Sequence, residues 1–278
     1  MNNLQIVKQY LFANKGISSR IEAMLGDKAE GFKNSIINVM SNNALLEKAN
    51  PDSIIRSAMV AASLDLPIDP NLGFAAIVPY KGEAQFQMMY RGFVQLAIRS
   101  GQYKNINATE IYEDELVSWD PFKARIKLQS GTDRNQGGKV VGYYAYFELL
   151  NGFEKELYMT ADEMEKHANQ YSASYKNDKA KGYKGSKWTT DFDAMGKKTV
   201  LKLLISKYGI MSLQMQQAQT FDQAILRGDV NDPKPEYIDN PDFKDTTIET
   251  NPFEKKEATD VDYQEVDLAG TPFDAEFK

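Results

Sequence analysis

Apolar residues recur at helical spacing through two early segments of the chain. Phe32, Ile36, Ile37, Met40, Leu45 and Leu46 form one amphipathic stripe; Ile54, Ile55, Met59, Ala62 and Leu66 form a second. Asn50-Pro51 starts the second helix, with asparagine as cap and proline at the first helical position. Stripes of this kind are core-packing faces. The pattern then changes to that of strands. Phe74–Pro79 and Gln85–Tyr90 flank Lys81-Gly82-Glu83, which reads as a β-hairpin around a glycine-containing loop. Arg91–Ser100 reads as a short helix that Gly101 stops.

Further strands are expected at Ile106–Tyr112, Phe122–Leu128, Val140–Leu149 and Glu154–Met159, the last two joined by an Asn151-Gly152 turn. Thr160 and Glu163 form a capping box that opens a helix. Lys, Ser and Gly dominate 172–187, which reads as a loop. Trp188–Tyr208 reads as one long helix with Phe192, Met195, Thr199, Leu203 and Leu204 inward, closed by Gly209. A last helix is expected from about Ser212 to Arg227. Helices, then strands, then helices predict an α+β fold: an antiparallel β-sheet with a β-hairpin, flanked by N-terminal and C-terminal helices.

Charge divides the chain. Residues 1–228 carry 28 Lys+Arg against 24 Asp+Glu, whereas 229–278 carry 5 against 15, so a body of +4 precedes a segment of −10. Five X-Pro pairs and few aliphatic residues mark that segment, which is read as a disordered acidic tail beyond a folded domain of residues 1–228. Its Pro252-Phe253 and Pro272-Phe273 pairs are possible peptide anchors or chance recurrences. A weakly basic body suggests a negatively charged partner.

Composition closes off several chemistries. With no cysteine, thiolate metal sites, iron–sulfur clusters and cysteine nucleophiles are excluded, and a single histidine, His167, cannot build a histidine metal cluster. No uncharged run approaches the ~18 apolar residues of a membrane span, and Met1–Ile6 lacks the flank and apolar core of a secretory signal. A cytoplasmic location is expected. Gly196-Lys197-Lys198-Thr199 mimics a phosphate loop, but the position of the required earlier glycine is Asp191, and the segment lies inside a helix. No cofactor, metal or catalytic residue is expected. Glu113, Asp114 and Asp162 are the acids a metal-dependent nuclease would have to use.

The positive charge is more informative. Nine lysines (176, 179, 181, 184, 187, 197, 198, 202 and 207) fall within 32 residues, against three acids, and Tyr171, Tyr175, Tyr183 and Trp188 are interleaved with them. Lysines neutralise phosphates by counterion release, and aromatic rings offer any base a stacking face. Lys198 and Lys202 are expected on one exposed stripe, opposite the apolar face. A second set surrounds the hairpin: Tyr80, Lys81, Tyr90, Arg91, Arg99, Tyr103 and Lys104. Both sets also fit a solvated surface, and Tyr90 and Trp188 equally fit a core.

Several ordered blocks resemble the RecT family of phage single-strand annealing proteins. They are Pro79-Tyr80, Gln87 to Phe93 (Gln-Met-Met-Tyr-Arg-Gly-Phe), Ala97-x-Arg99-Ser100-Gly101, Ile111-Tyr112, and Trp188-x-x-Asp191-Phe192-x-x-Met195-x-Lys197-Lys198-Thr199. Ser63 to Pro67 and Gly73-x-Ala75 also match, although many relatives have Gly at Asp65 and Ala at Gly196. The resemblance covers about 25–225. It implies an ATP-independent recombinase that coats single-stranded DNA as rings or helical filaments, pairs it with a complementary strand and holds the duplex. It also implies a phage exonuclease and the host single-strand DNA-binding protein as partners.

On that reading the DNA-binding residues are Tyr80, Lys81, Tyr90, Arg91, Arg99, Tyr103, Lys104, Lys184, Lys187, Trp188, Lys197, Lys198, Lys202 and Lys207. The alternatives are a metal-dependent DNA nuclease and a protein-interaction adaptor that works through its tail.

Overall fold

A computed structural model describes residues 2–129, 138–230 and 232–237. The N-terminal part is helical: α1 (Asn3–Lys8), a π-helical turn (Gln9–Ala13), α2 (Lys15–Leu25), α3 (Ala29–Ser41), α4 (Ala44–Glu47) and α5 (Pro51–Ser63). Asparagines punctuate it. Asn2, Asn14, Asn43 and Asn50 each accept backbone amides at a helix start. The Asn43 cap divides the expected Phe32–Leu46 stripe into α3 and α4.

Helix α5 is buried on every side. Its Ser53 hydroxyl accepts the Ala84 amide at 2.8 Å, and its Ser57 hydroxyl donates to the Ala84 carbonyl at 3.2 Å. The helix therefore carries the hairpin β1 (Ala75–Tyr80) and β2 (Glu83–Met88) by hydrogen bonds as well as apolar packing. The hairpin turn is Lys81-Gly82, with φ of 47° and 81°, a two-residue turn of the kind that matches strand twist. Helix α6 (Tyr90–Arg99) follows.

Three antiparallel sheets replace the single expected one. The first has the order β1-β2-β8-β9, the second β3-β6-β7, and the third is a separate β4-β5 pair. In the second sheet, β3 (Tyr103–Tyr112), β6 (Val140–Leu149) and β7 (Glu154–Thr160) bury Tyr143, Ala145, Phe147 and Leu149. Of the strand expected at Phe122–Leu128, only β5 (Arg125–Leu128) forms, paired with β4 (Leu116–Asp120). Phe122 sits in the turn at 99% exposure, because the Asp120 carboxylate accepts the Phe122 and Lys123 amides and closes the chain there.

The C-terminal part departs further from the expectation. After α7 (Ala161–Tyr171), with its Thr160 and Glu163 box in place, the supposed loop holds α8 (Ala173–Lys181). The long helix is broken at Asp191 into α9 (Lys187–Thr190) and α10 (Phe192–Tyr208). Helix α11 ends at Phe221, having begun at Leu213, and the chain turns into β8 (Ile225–Asp229).

Strand β9 (Asp232–Glu236) lies inside the segment that composition assigned to the tail. It pairs with β8, placing Pro233 opposite Gly228 and Pro235 opposite Leu226. Arg227 joins Glu236 at 3.0 Å and Glu83 at 2.8 Å, tying three strands together. The rest of the expected disordered tail lies outside the described residues. A chain ended after Gly228 is expected to melt about 2–8 °C below one ended after Tyr237, for ~1–2 kcal/mol of lost pairing. Paired thermal melts measure that difference.

Candidate nucleic-acid interface

The structure distributes the expected binding residues very unevenly. Lys198 is 8% exposed, so the Lys198–Lys202 stripe does not lie on an open helix face. The reason is Asp222, whose wholly buried carboxylate takes the Lys202 ammonium at 2.5 Å and the Met88 amide at 2.9 Å. Burial pushes the Asp222 carboxyl up, but the Lys202 and Lys198 ammoniums outweigh it, leaving the group below its ordinary range. Burial pulls the Lys198 ammonium down, and Asp222 offsets only part of that. These contacts tie α10 to the end of β2. Leu203, expected inward, is half-buried; Val200, Leu201, Leu204 and Ile205 form the core face.

Other members of the set hold the fold. Trp188 is 8% exposed and packs edge-on to Phe192 at 5.3 Å and against Tyr175 at 6.3 Å, which settles it as a core residue. Tyr90 is half-buried against the core. The Tyr103 hydroxyl accepts the Ile210 amide at 2.9 Å while its ring meets Phe147 edge-on. Arg99 donates to the carbonyls of Leu64 and Asp65 at 2.7 and 2.8 Å, fixing Asp65 at φ 47°. That left-handed backbone is what a glycine at this position would adopt freely. Lys197 pairs with Glu110 at 2.9 Å and Lys104 with Glu148 at 2.7 Å. At the hairpin, the Lys81 ammonium lies 4.9 Å from the centre of the half-buried Tyr80 ring, and Arg91 is exposed. Lys207 is also exposed.

What remains together is a platform on α8, α9 and the turn between them. Lys176, Lys181, Lys184 and Lys187 are exposed there, with no ion pair among the described residues, and Tyr183 is 67% exposed. Lys179 is engaged by Glu165. Helix α8 forms because Ser172 caps its start and Gly182 ends it at φ 66°. Asp178, the acid of this segment, is turned inward and only 5% exposed. Its Oδ2 accepts the Thr189 hydroxyl at 2.6 Å, the Ser186 amide at 2.7 Å and the Gly185 amide at 3.0 Å. The Tyr183 ring lies across Gly185, where a Cβ would stand 2.4 Å from its Cε1.

The Thr189 hydroxyl and the Ser186 amide hold the Asp178 carboxyl down to about 2. A lowered folded value means stability that is present above the unfolded carboxyl range, ~4, and is lost as pH falls from there towards about 2. Protection of the Gly185 and Ser186 amides, taken relative to the intrinsic exchange rate at each pH, is therefore expected to fall across that window, with the step absent in Asp178→Asn.

One face of the second sheet carries Tyr144 and Tyr146 with Glu148 and Glu154, and the buried Glu156 beneath β5; Glu156 accepts the Tyr144 hydroxyl at 2.8 Å and the Ile126 amide at 3.1 Å, and Glu154 accepts the Tyr146 hydroxyl at 3.0 Å. Among the described residues, no group of three or more His, Cys, Asp or Glu is placed to hold a metal ion. Glu113 and Asp114 lie exposed between β3 and β4, and Asp162 in the first turn of α7. His167 is half-buried and stacks on Tyr171 at 4.6 Å; burial, and next Lys202, hold its imidazole below the usual range.

The described residues thus combine a helical N-terminal part, a β-hairpin carried on α5 and an exposed lysine-rich helical platform. The chain belongs to the RecT family, whose sequence profile matches residues 30–238. It is similar to Bacillus subtilis (strain 168) YqaK, described as uncharacterized, at 43% identity over 273 residues, or 95% of this chain and 90% of that protein. It is also similar to Protein RecT of Escherichia coli (strain K12), at 27% identity over 179 residues, 62% of each chain. RecT family membership implies single-stranded DNA binding and strand annealing in recombination.

Proposed function

We propose that this chain binds single-stranded DNA and anneals complementary strands without ATP, as a ring or helical filament in phage recombination within the bacterial cytoplasm. The observation that carries this reading is the platform of Lys176, Lys181, Lys184 and Lys187 around Tyr183, from which the local acid has been withdrawn. Lys81 and Arg91 at the hairpin, and Lys207 at the end of α10, are further exposed cations. ATP-independence is supported by the place of Gly196-Lys197-Lys198 within α10, with Lys197 paired and Lys198 buried, rather than in a strand-to-helix turn. The −10 segment is assigned competition with DNA for basic surface and recruitment of an exonuclease or the host single-strand DNA-binding protein.

Because the contacts are to phosphates, log affinity for a thymidine oligonucleotide is expected to fall linearly with log salt, by about 0.7 per phosphate neutralised. Replacing Lys184 and Lys187 together by alanine is expected to flatten that slope by about 1.4 and to weaken binding ~25-fold at 0.1 M salt. Its melting temperature should stay nearly unchanged, since exposed charges contribute little to stability. A nucleotide-free mixture of complementary labelled strands with Mg²⁺ should yield intact duplex. Cleaved strands would establish the nuclease reading instead, and no binding at low salt the adaptor.

A further inference from the structure

The structure assigns Asp178 as the positioning residue of the strand-contacting platform. This rests on the reading that the platform meets DNA, and it adds how a short lysine-rich segment acquires a fixed shape. The segment 182–187 has little apolar surface of its own, and a turn of glycine, lysine and serine would sample many conformations in water. One buried carboxylate oxygen removes that freedom by taking three donors from Gly185, Ser186 and Thr189. A fourth contact runs from the Tyr183 amide to the Asp178 carbonyl at 3.0 Å. The same residue therefore anchors Tyr183, the turn and the start of α9, and so sets the spacing of Lys184, Lys187 and the Tyr183 ring.

Two physical consequences follow. The negative charge is spent internally, where it does not repel a phosphate. The Gly185 and Ser186 amides are also occupied, so these two do not reach a strand crossing this surface, which the ammonium groups and a ring face hold. Such contacts are blind to sequence and are released by salt. They suit a protein that must later yield one strand to its complement.

The test uses the full chain, a thymidine oligonucleotide and a series of salt concentrations. Asp178→Ala is expected to flatten the salt slope by about 0.7–1.4 and to weaken binding about 5–25-fold at 0.1 M salt. Asp178→Asn should fall between it and the parent, because its amide oxygen still accepts at the Oδ2 position. Thr189→Val, which removes one donor of a half-buried side chain, should quicken exchange at Gly185 and Ser186 and flatten the slope by a smaller amount. Should Asp178→Ala not fold, the Thr189→Val result decides the matter. Faster exchange with an unchanged slope would overturn the positioning role and leave Asp178 a fold-stabilising residue alone. The Lys184 and Lys187 double variant separates the two readings: if its own slope is unchanged, the platform does not meet DNA.

Discussion

Alanine at Asp222 is expected to destabilise the protein by about 3–5 kcal/mol, because breaking a buried ion pair leaves uncompensated charge behind. Here two ammoniums, Lys198 and Lys202, lose their shared carboxylate, and the buried Met88 amide loses its acceptor. The damage should reach the hairpin as well as α10, since Asp222 joins the last residue of β2 to that helix. A urea titration would show a large drop in midpoint. Lys198→Met should behave oppositely, staying within ~1.5 kcal/mol of the parent. It removes an ammonium that burial already disfavours, while Lys202 still satisfies Asp222. Its DNA affinity should match the parent's, which an exposed-stripe arrangement of α10 would not allow.

Trp188→Ala is expected to cost about 3–5 kcal/mol as a large-to-small change in a packed core. The indole sits between Tyr175 and Phe192, and Phe192 meets Tyr143 at 6.0 Å, so the cavity would open where α8, α9, α10 and β6 converge. Tyr143 donates to Asp193 at 2.6 Å and lies against Gly196, where a Cβ would be 2.6 Å from the ring. The site therefore has little room to collapse. Trp188→Phe should recover most of the stability, and denaturant melts of the two variants measure the difference. A tryptophan that stacked on bases would instead give an alanine variant of native stability and weakened DNA binding.

Where the chain carried discrete local chemistry, the sequence reading matches the fold. The Asn50-Pro51 start, the Lys81-Gly82 turn, the Asn151-Gly152 turn and the Thr160–Glu163 box all stand where their side chains predict them. Periodicity failed where burial is polar. Helix α8 buries only Tyr175 and Asp178, so no apolar stripe announced it, although Ser172 and Gly182 mark both of its ends. On α10 the assumption that lysine faces water placed Lys198 outside. Only a carboxylate from a distant segment makes its buried position tolerable, and nothing near Lys198 in sequence signals Asp222. The same blindness to long-range pairing hid the Lys197 pair with Glu110 and the Lys104 pair with Glu148.

The alternation of proline in β9 bears on how copies of this chain can meet. Pro233 and Pro235 have no N–H, so the donors that β9 offers to β8 come from the residues between and beside them. Both prolines then fall on the outward side of the outermost strand in the order β1-β2-β8-β9. That rim presents carbonyl oxygens and not a single amide over 232–236. A neighbouring subunit cannot lengthen the sheet across that rim by taking amide donors from β9. A contact between copies of this chain at that rim therefore falls to side chains, which can be gained and released without breaking a backbone ladder.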